Sequence, residues 1–502
     1  MSNVGLKIAG VVGVVAVLGG GCAAAYAFSD TVKNQVKLAT SSPEDYFHWV
    51  YDKNVADLAD GSAAAYQKGL DRTNGSAATH CELRFTPSED CKSLVLEQIG
   101  ADDSGETGKR ISDIVNNMNT VVLSADAAGG GNGLSEQFKL LVNDTEVTSA
   151  EAAADLEGQS IYMRVPELSE RWINMPLDLG ESGSTFDFAM NPGAYLSASD
   201  LSGLISKYCL LPVQDLQTVT VEKKQSVNIG AISTEYTAMT VDLTLDDVVN
   251  IVSKITDAAS TDETLLKLAP DQDAFTAALV DIGENIRTAA ENVDSTETVK
   301  FTTYVDATGT IRGFYVAPDQ QNSFFAGVGM QDGQLAASVQ LSALGTDYIK
   351  MSAKSDTSGN GDFKCTLDDL SFSGTFSDLH ISNPEKGYVT GNLTINYEDY
   401  EAIPVTFSED GNGQKITYEL NLEGTDYGSL ELYYSMNSDL APIEPDKSSA
   451  LEVKDNDFNV MDYTNQDDLT EYVTTVLTRL GLDEEDAKSV GMSVGAMFFM
   501  YY

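Results

Sequence analysis

The chain has 502 residues, with 77 Asp plus Glu against 30 Lys plus Arg, a formal net charge of −47 at pH 7. That balance excludes binding to the nucleic-acid backbone, which works by cations neutralising phosphates, and disfavours anionic lipid surfaces. A hydrophobic content of 42% can fill a core, so the chain is folded rather than an acidic disordered tail, and three histidines leave little material for imidazole chemistry.

At the N-terminus Lys7 precedes an uncharged, apolar and small-residue run over residues 8–28. Three readings of it stand side by side. As an uncleaved helix it has the length of about 20 residues that crosses a bilayer. As a secretory signal it offers Ala25-Tyr26-Ala27, with cleavage after Ala27. As a lipoprotein signal it offers Cys22 for acylation, although Gly19-Gly20-Gly21 precedes it and Leu18 stands one position too early. The segment addresses the chain to the cell membrane, its partner through this N-terminal segment, while cleavage after Ala27 means secretion. Lys7 is countered by Lys33 and Lys37, so orientation is only weakly encoded, and the bulk of the chain is placed outside the cytoplasm.

Ser41 and Glu44 form a capping box that opens a helix expected to run to about Asp71, with Tyr46, Phe47, Trp49 and Val50 as core. A strand follows, in which His80, Glu82 and Arg84 alternate with Cys81, Leu83 and Phe85. Helices are expected from Ser88 and near Ile111, then strands around Val121 and Phe138 joined by the glycines of 129–133. That cluster lacks the Gly-Lys-Ser/Thr ending of a phosphate loop and reads as a hairpin. Pro166 predicts an edge or bend after Val165.

Residues 217–243 read as a hairpin whose second strand runs into a helix capped by Thr244 and Asp247, with Leu245, Val248, Val252 and Ile255 on one face. Phe275, Leu279, Ile282 and Ile286 predict another helix. From 298 to 436 the period is two, strand after strand, which predicts an antiparallel meander with one face wet and the other covered by helices. A proline- and acid-rich linker and two helices end the sequence, Gly491 and Gly495 permitting close contact on one side of the last. The expected division is 1–28 anchor or signal, 29–295 helix-rich α+β half, 296–440 meander, 441–463 linker, and 464–502 helices packing on the sheet.

Chemistry is sparse. Cys81, Cys91, Cys209 and Cys365 are too few for a disulfide framework; Cys81 and Cys91 either bridge or remain free thiols. His80 and Cys81, adjacent in a strand, point to opposite faces and cannot form a catalytic pair. The oxygen-rich turns at 356–362 and 409–413 lack the acid that an EF-hand requires, and carboxylate pairs such as Asp246–Asp247 and Asp368–Asp369 follow from composition. No catalytic motif, cofactor site or metal site is expected.

The segments AYAFSDTVKNQVKLATSSPEDYFHWVYDKN from Ala25, IYMRVPELSERW from Ile161 and YVDATGTIRGFYV from Tyr304 together resemble a family of uncharacterised membrane-anchored envelope proteins of anaerobic Gram-positive bacteria. The passage STEYTAMTVDLTLDDVVNIV from Ser233 is similar to the centre of lipoprotein-carrier folds, including mycobacterial lipid-carrying lipoproteins. That second resemblance implies an incomplete barrel around helices with a cavity for acyl chains, here in a chain about twice as long. Neither supplies a catalytic residue. The expectation is an α+β protein with a strongly curved antiparallel sheet wrapped around long amphipathic helices. It would act as an extracytoplasmic binding protein for a lipid or other apolar ligand, or else as a surface scaffold or interaction module without a small-molecule ligand, its envelope partner unnamed.

Overall fold

The computed structural model describes residues 28–501 apart from 75–77, 101–104, 131–132, 156–157, 178–191, 270, 291–297, 368–369, 398–401, 423, 437–439 and 454–459. The protein is α+β, with a large, unclosed, mostly antiparallel sheet. The expected N-terminal membrane segment, with Cys22 and Ala27, lies outside the described residues. No helix among the described residues is long and apolar enough to cross a membrane.

In chain order, helices α1 (Phe28–Thr40) and α2 (Pro43–Asn74) lead to β1 (Ala78–Pro87), α3 (Glu89–Gln98) and α4 (Gly105–Asn117). Strands β2 (Val121–Gly130), β3 (Gly133–Val142), β4 (Thr145–Asp155), β5 (Ser160–Arg164) and β6 (Ile173–Pro176) follow. After α5 (Pro192–Tyr195) and α6 (Ala198–Leu210) come β7 (Thr220–Ile229) and β8 (Ile232–Thr244), then α7 (Leu245–Ser260), α8 (Glu263–Leu268) and α9 (Gln272–Ala290). The long β run is β9 (Thr298–Val305), β10 (Ile311–Ala317), β11 (Ser323–Gln331), β12 (Gln334–Ala343), β13 (Thr346–Ser355), β14 (Gly361–Leu367), β15 (Leu370–Asn383), β16 (Tyr388–Tyr397), β17 (Ile403–Asp410), β18 (Gly413–Leu422) and β19 (Thr425–Met436). A short β20 (Leu451–Glu452) precedes α10 (Val460–Tyr463), α11 (Gln466–Arg479) and α12 (Glu484–Tyr501).

Two compact units share this chain, and neither is continuous. Unit 1 takes the residues up to 71 and 181–375; unit 2 takes 72–180 and 376–502. None of these junctions coincides with the boundaries expected from sequence, because the division follows which strands pair rather than where composition changes.

In unit 1 strands β7 to β14 pair antiparallel in chain order. The period of two gives each strand two unlike faces. Met239, Val241, Leu243, Phe301, Val305, Phe314 and Val316 share a buried cluster with Tyr46, Phe47, Val50 and Tyr51 of α2 and Val248 and Ile251 of α7. This is the helix cover expected from the sequence. Polar groups fix its register: Asn54, itself buried, donates to Val50 O and Gly309 O and accepts from Ile311 N, while Asn34 donates to Asp306 O and accepts from the Tyr46 hydroxyl. Two of the segments quoted for their resemblance, around Tyr46 and around Asp306, therefore meet. Burial, and less so the Asp306 charge, push the Tyr46 hydroxyl up to about 12 against the Asn34 hydrogen bond.

On the opposite face Val227, Ile229, Ile232 and Tyr236 of the β7–β8 hairpin form a second cluster with Ala336 of β12, backed by Tyr304 and Phe325. Gly329 makes this approach feasible, since a Cβ there would stand 2.9 Å from Ile232 Cδ1.

In unit 2 the pairing order is β16-β17-β18-β19-β1-β2-β3-β4-β5-β6-β20, antiparallel except between β6 and β20. Strand β5 stops at Arg164, ahead of the proline, as the sequence predicts. The expected linker is partly structured: Leu451 N donates to Trp172 O at 2.7 Å, and Ile443 and Ala450 pack on Trp172, Tyr162 and Ala153. Helix α11 reaches the sheet through Tyr472, whose hydroxyl is 3.0 Å from Thr148 Oγ1, and Arg479, which donates to Val147 O. Helix α12 lies against α11 at Gly491 and Gly495, where a Cβ would stand 2.5 Å from Thr474 Oγ1 and Thr470 Oγ1 respectively.

Candidate functional site

The alternation of β1 places Cys81, Leu83 and Phe85 on one face of unit 2's sheet and His80, Glu82 and Arg84 on the other. Registers then carry each residue across the sheet. Leu83 stands opposite Leu123 on one side and Leu432 on the other; Leu123 faces Leu140, and Leu432 faces Ile416, which faces Phe407. The adjacent row runs Val405, Tyr418, Leu430, Phe85, Val121 and Val142. Six strands therefore present twelve side chains without one charge, in a chain of net charge −47.

The centre of this face is open. Leu83 is 41% exposed, Leu123 49% and Leu432 37%, with Met436 exposed beside them. This departs from the expectation that the apolar side of every strand is covered by helices. Scattered exposed leucines are ordinary, but a registered row of them is a contiguous patch, the kind that marks a contact surface. The row of Cys81, next to the leucines, ends at Glu409 through Tyr434 and Gln414, and the row of Thr79 beyond it ends at Glu136 through Ala127.

The polar face spends its charges internally. His80 Nδ1 lies 2.7 Å from Asp126 Oδ1 and Nε2 3.2 Å from Glu82 Oε1; Arg84 meets Glu82 at 3.8 Å and Asp144 at 2.9 Å. Both ring nitrogens of His80 are thus directed at carboxylates. Cys81 is on the opposite face, as expected, and burial together with the Asp126 charge pushes its thiol up, away from nucleophilic use. Cys81 and Cys91 are free, with no bridge between them.

The other positions weighed in the sequence resolve as local structure. Gly129 and Gly130 end β2 in register with β3, a hairpin, while residues 131–132 lie outside the described residues. The Asp356 carboxylate accepts from Ser358 N and Asn360 N, and the latter bond above all holds it below the usual carboxylate range, as in a hairpin turn. Asp247 completes the cap of α7 with Thr244; Asp368 and Asp369 lie outside the described residues. Among the described residues no three His, Cys, Asp or Glu side chains converge to hold a metal ion.

A cavity of about 660 Å³ opens in unit 2 beside residues 441–447, lined by Ser135, Ala153, Asp155, Pro442, Ile443 and Lys447 among others. Its walls are as polar as apolar, and the Lys447 ammonium pairs with Asp155 within them. Sequence reasoning found neither this cavity nor the leucine row. Alternation reveals which residues share a face, but whether the face is covered depends on elements far away in the chain.

Comparison with family models, with curated proteins and with solved structures finds no match to this chain.

Proposed function

We propose that the protein is an extracytoplasmic binding protein, held at the membrane or exported through its N-terminal segment, that engages an apolar partner on the open face of unit 2's sheet. The observation that carries this reading is the row Leu123–Leu83–Leu432, uncharged along its length and exposed at its centre. Exposing such area to water is unfavourable by about 25 cal/mol per Å², a gradient that a bound apolar surface recovers.

The carrier reading from the sequence sets the ligand between an incomplete barrel and its helices. In unit 1 Tyr46, Phe47, Val50, Phe301 and Leu243 fill that space, which favours a purely structural interface there and moves the binding site to unit 2. The scaffold reading draws on the same filled interface.

The test is binding of an environment-sensitive apolar dye to the full chain, with extraction of co-purified lipid from the same preparation. Each leucine contributes about 1 kcal/mol of apolar contact at partial burial. A triple variant Leu83→Ser, Leu123→Ser, Leu432→Ser is therefore expected to weaken dye binding about a hundredfold with its fold retained. Unchanged dye affinity in a folded triple variant would remove the site.

A further inference from the structure

The two units contain one succession in common. A strand passes into helices, and a second strand returns to pair antiparallel with the first: β8, α7 to α9, β9 in unit 1, and β1, α3 and α4, β2 in unit 2. The helix caps align them. Thr244 and Ser88 are the N-caps, each side chain accepting from the amide three residues on, at Asp247 and Cys91. Counting back from the caps, Val241 matches Phe85 and Met239 matches Leu83. Their cross-strand partners match too, Phe301 with Val121 and Thr303 with Leu123.

At this matched position the units differ in one respect. Met239 and Thr303 are wholly buried because α2 lies on them, its Tyr51 hydroxyl 2.7 Å from Thr303 Oγ1. Leu83 and Leu123, by contrast, are exposed. Unit 1 covers with a helix of its own chain the position that unit 2 leaves exposed, where α11 meets the same face only beyond Leu140, at Thr148.

We propose that the open face of unit 2 receives an amphipathic α-helix from a partner protein, with an apolar stripe toward the leucine row and basic residues along its flanks. The inference rests on reading that face as a recognition surface. Length fits: six strands about 4.8 Å apart span about 24 Å, the rise of about 16 helical residues. Charge selects the flanks, since Glu409 ends the row beside the leucines, Glu136 ends the row beyond that, and the chain carries −47. A second copy would set two strongly acidic chains face to face, whereas a basic helix is attracted and steered.

The test uses the full chain and a designed peptide of about 18 leucines and lysines with leucine at helical spacing. Its control is the same composition rearranged to strand-like alternation, and a fluorescent fatty acid serves as the lipid probe. The helical peptide is expected to bind in preference to its control, more weakly as salt rises. The triple serine variant should raise its Kd at least about tenfold, as should Leu123→Lys alone, which adds like charge at the most exposed leucine of the row, with thermal melts confirming both folds. Equal binding of the two peptides, or an unchanged Kd in the folded variants, overturns the helix inference. If the fatty acid alone binds in a leucine-dependent way, the helix inference falls while the recognition face stands; if neither probe responds to the leucines, both fall.

Discussion

Asn54 shows how much one buried amide holds in place. Its side chain satisfies the carbonyls of Val50 and Gly309 and the amide of Ile311, joining α2 to the β9–β10 turn. Asn54→Ala would take this partner from the buried Gly309 carbonyl and Ile311 amide, while Val50 O keeps its helical bond to the backbone N–H of residue 54, and a loss of about 2–3 kcal/mol is expected in denaturant titration. Asp262 is the acid counterpart: it caps α8 through Thr264 N and Leu265 N and accepts from Lys207 Nζ and the Tyr208 hydroxyl. Burial alone would raise its pKa, but these donors outweigh it and hold the carboxyl below the usual range. A depressed folded value means the stabilisation is complete above the unfolded value of about 3.9 and is lost as pH falls through the folded one. Asp262→Asn should therefore lower Tm near neutral pH and flatten its fall on acidification, as a series of melts below about pH 5 would show.

Among elements, helix–helix contact in unit 2 depends on missing side chains. A Cβ at Gly491 would lie 2.7 Å from Thr470 O, a backbone atom that cannot swing aside. Gly491→Val should cost about 1–3 kcal/mol by forcing α12 from α11, whereas Gly61→Ala, in α2 with open space around it, should gain about 0.5–1 kcal/mol; chemical denaturation of the two variants checks both signs. The elements themselves were legible in the sequence. Thr244 with Asp247 marked the start of α7, and the alternation around Leu335, Leu393 and Leu430 marked strands. What alternation could not supply is the partner of each strand: nothing local to Leu83 announces that it stands between Leu123 and Leu432, or that all three stay exposed. Likewise the proline-rich stretch before β20 read as a linker, because two paired residues carry too little pattern to stand out.

For the whole molecule, charge is the dominant global property. Forty-seven net negative charges repel one another more in the compact state than in the unfolded chain. Raising NaCl from about 20 mM to about 500 mM shortens the Debye length to a few ångströms, so Tm should rise across that range in differential scanning calorimetry; a Tm that falls would show that attractive pairs outweigh the repulsion. Composition makes this legible at once, whereas the interleaving of the two units is invisible in it because it is set by long-range pairing.

That interleaving has a temporal side. Strand β1 sits between β2 and β19, with Thr79 opposite Met436, so during translation β1 emerges early and waits for its second neighbour until most of the chain has been made. Through that interval one edge of β1, and Leu83 with it, is available to any other strand nearby. Elongation at about 5–20 residues per second makes the wait tens of seconds, far longer than hairpins need to form. In this molecule the order in which strands are made and the order in which they can pair run against each other: β1 is made first in unit 2 and completed only when β19 arrives.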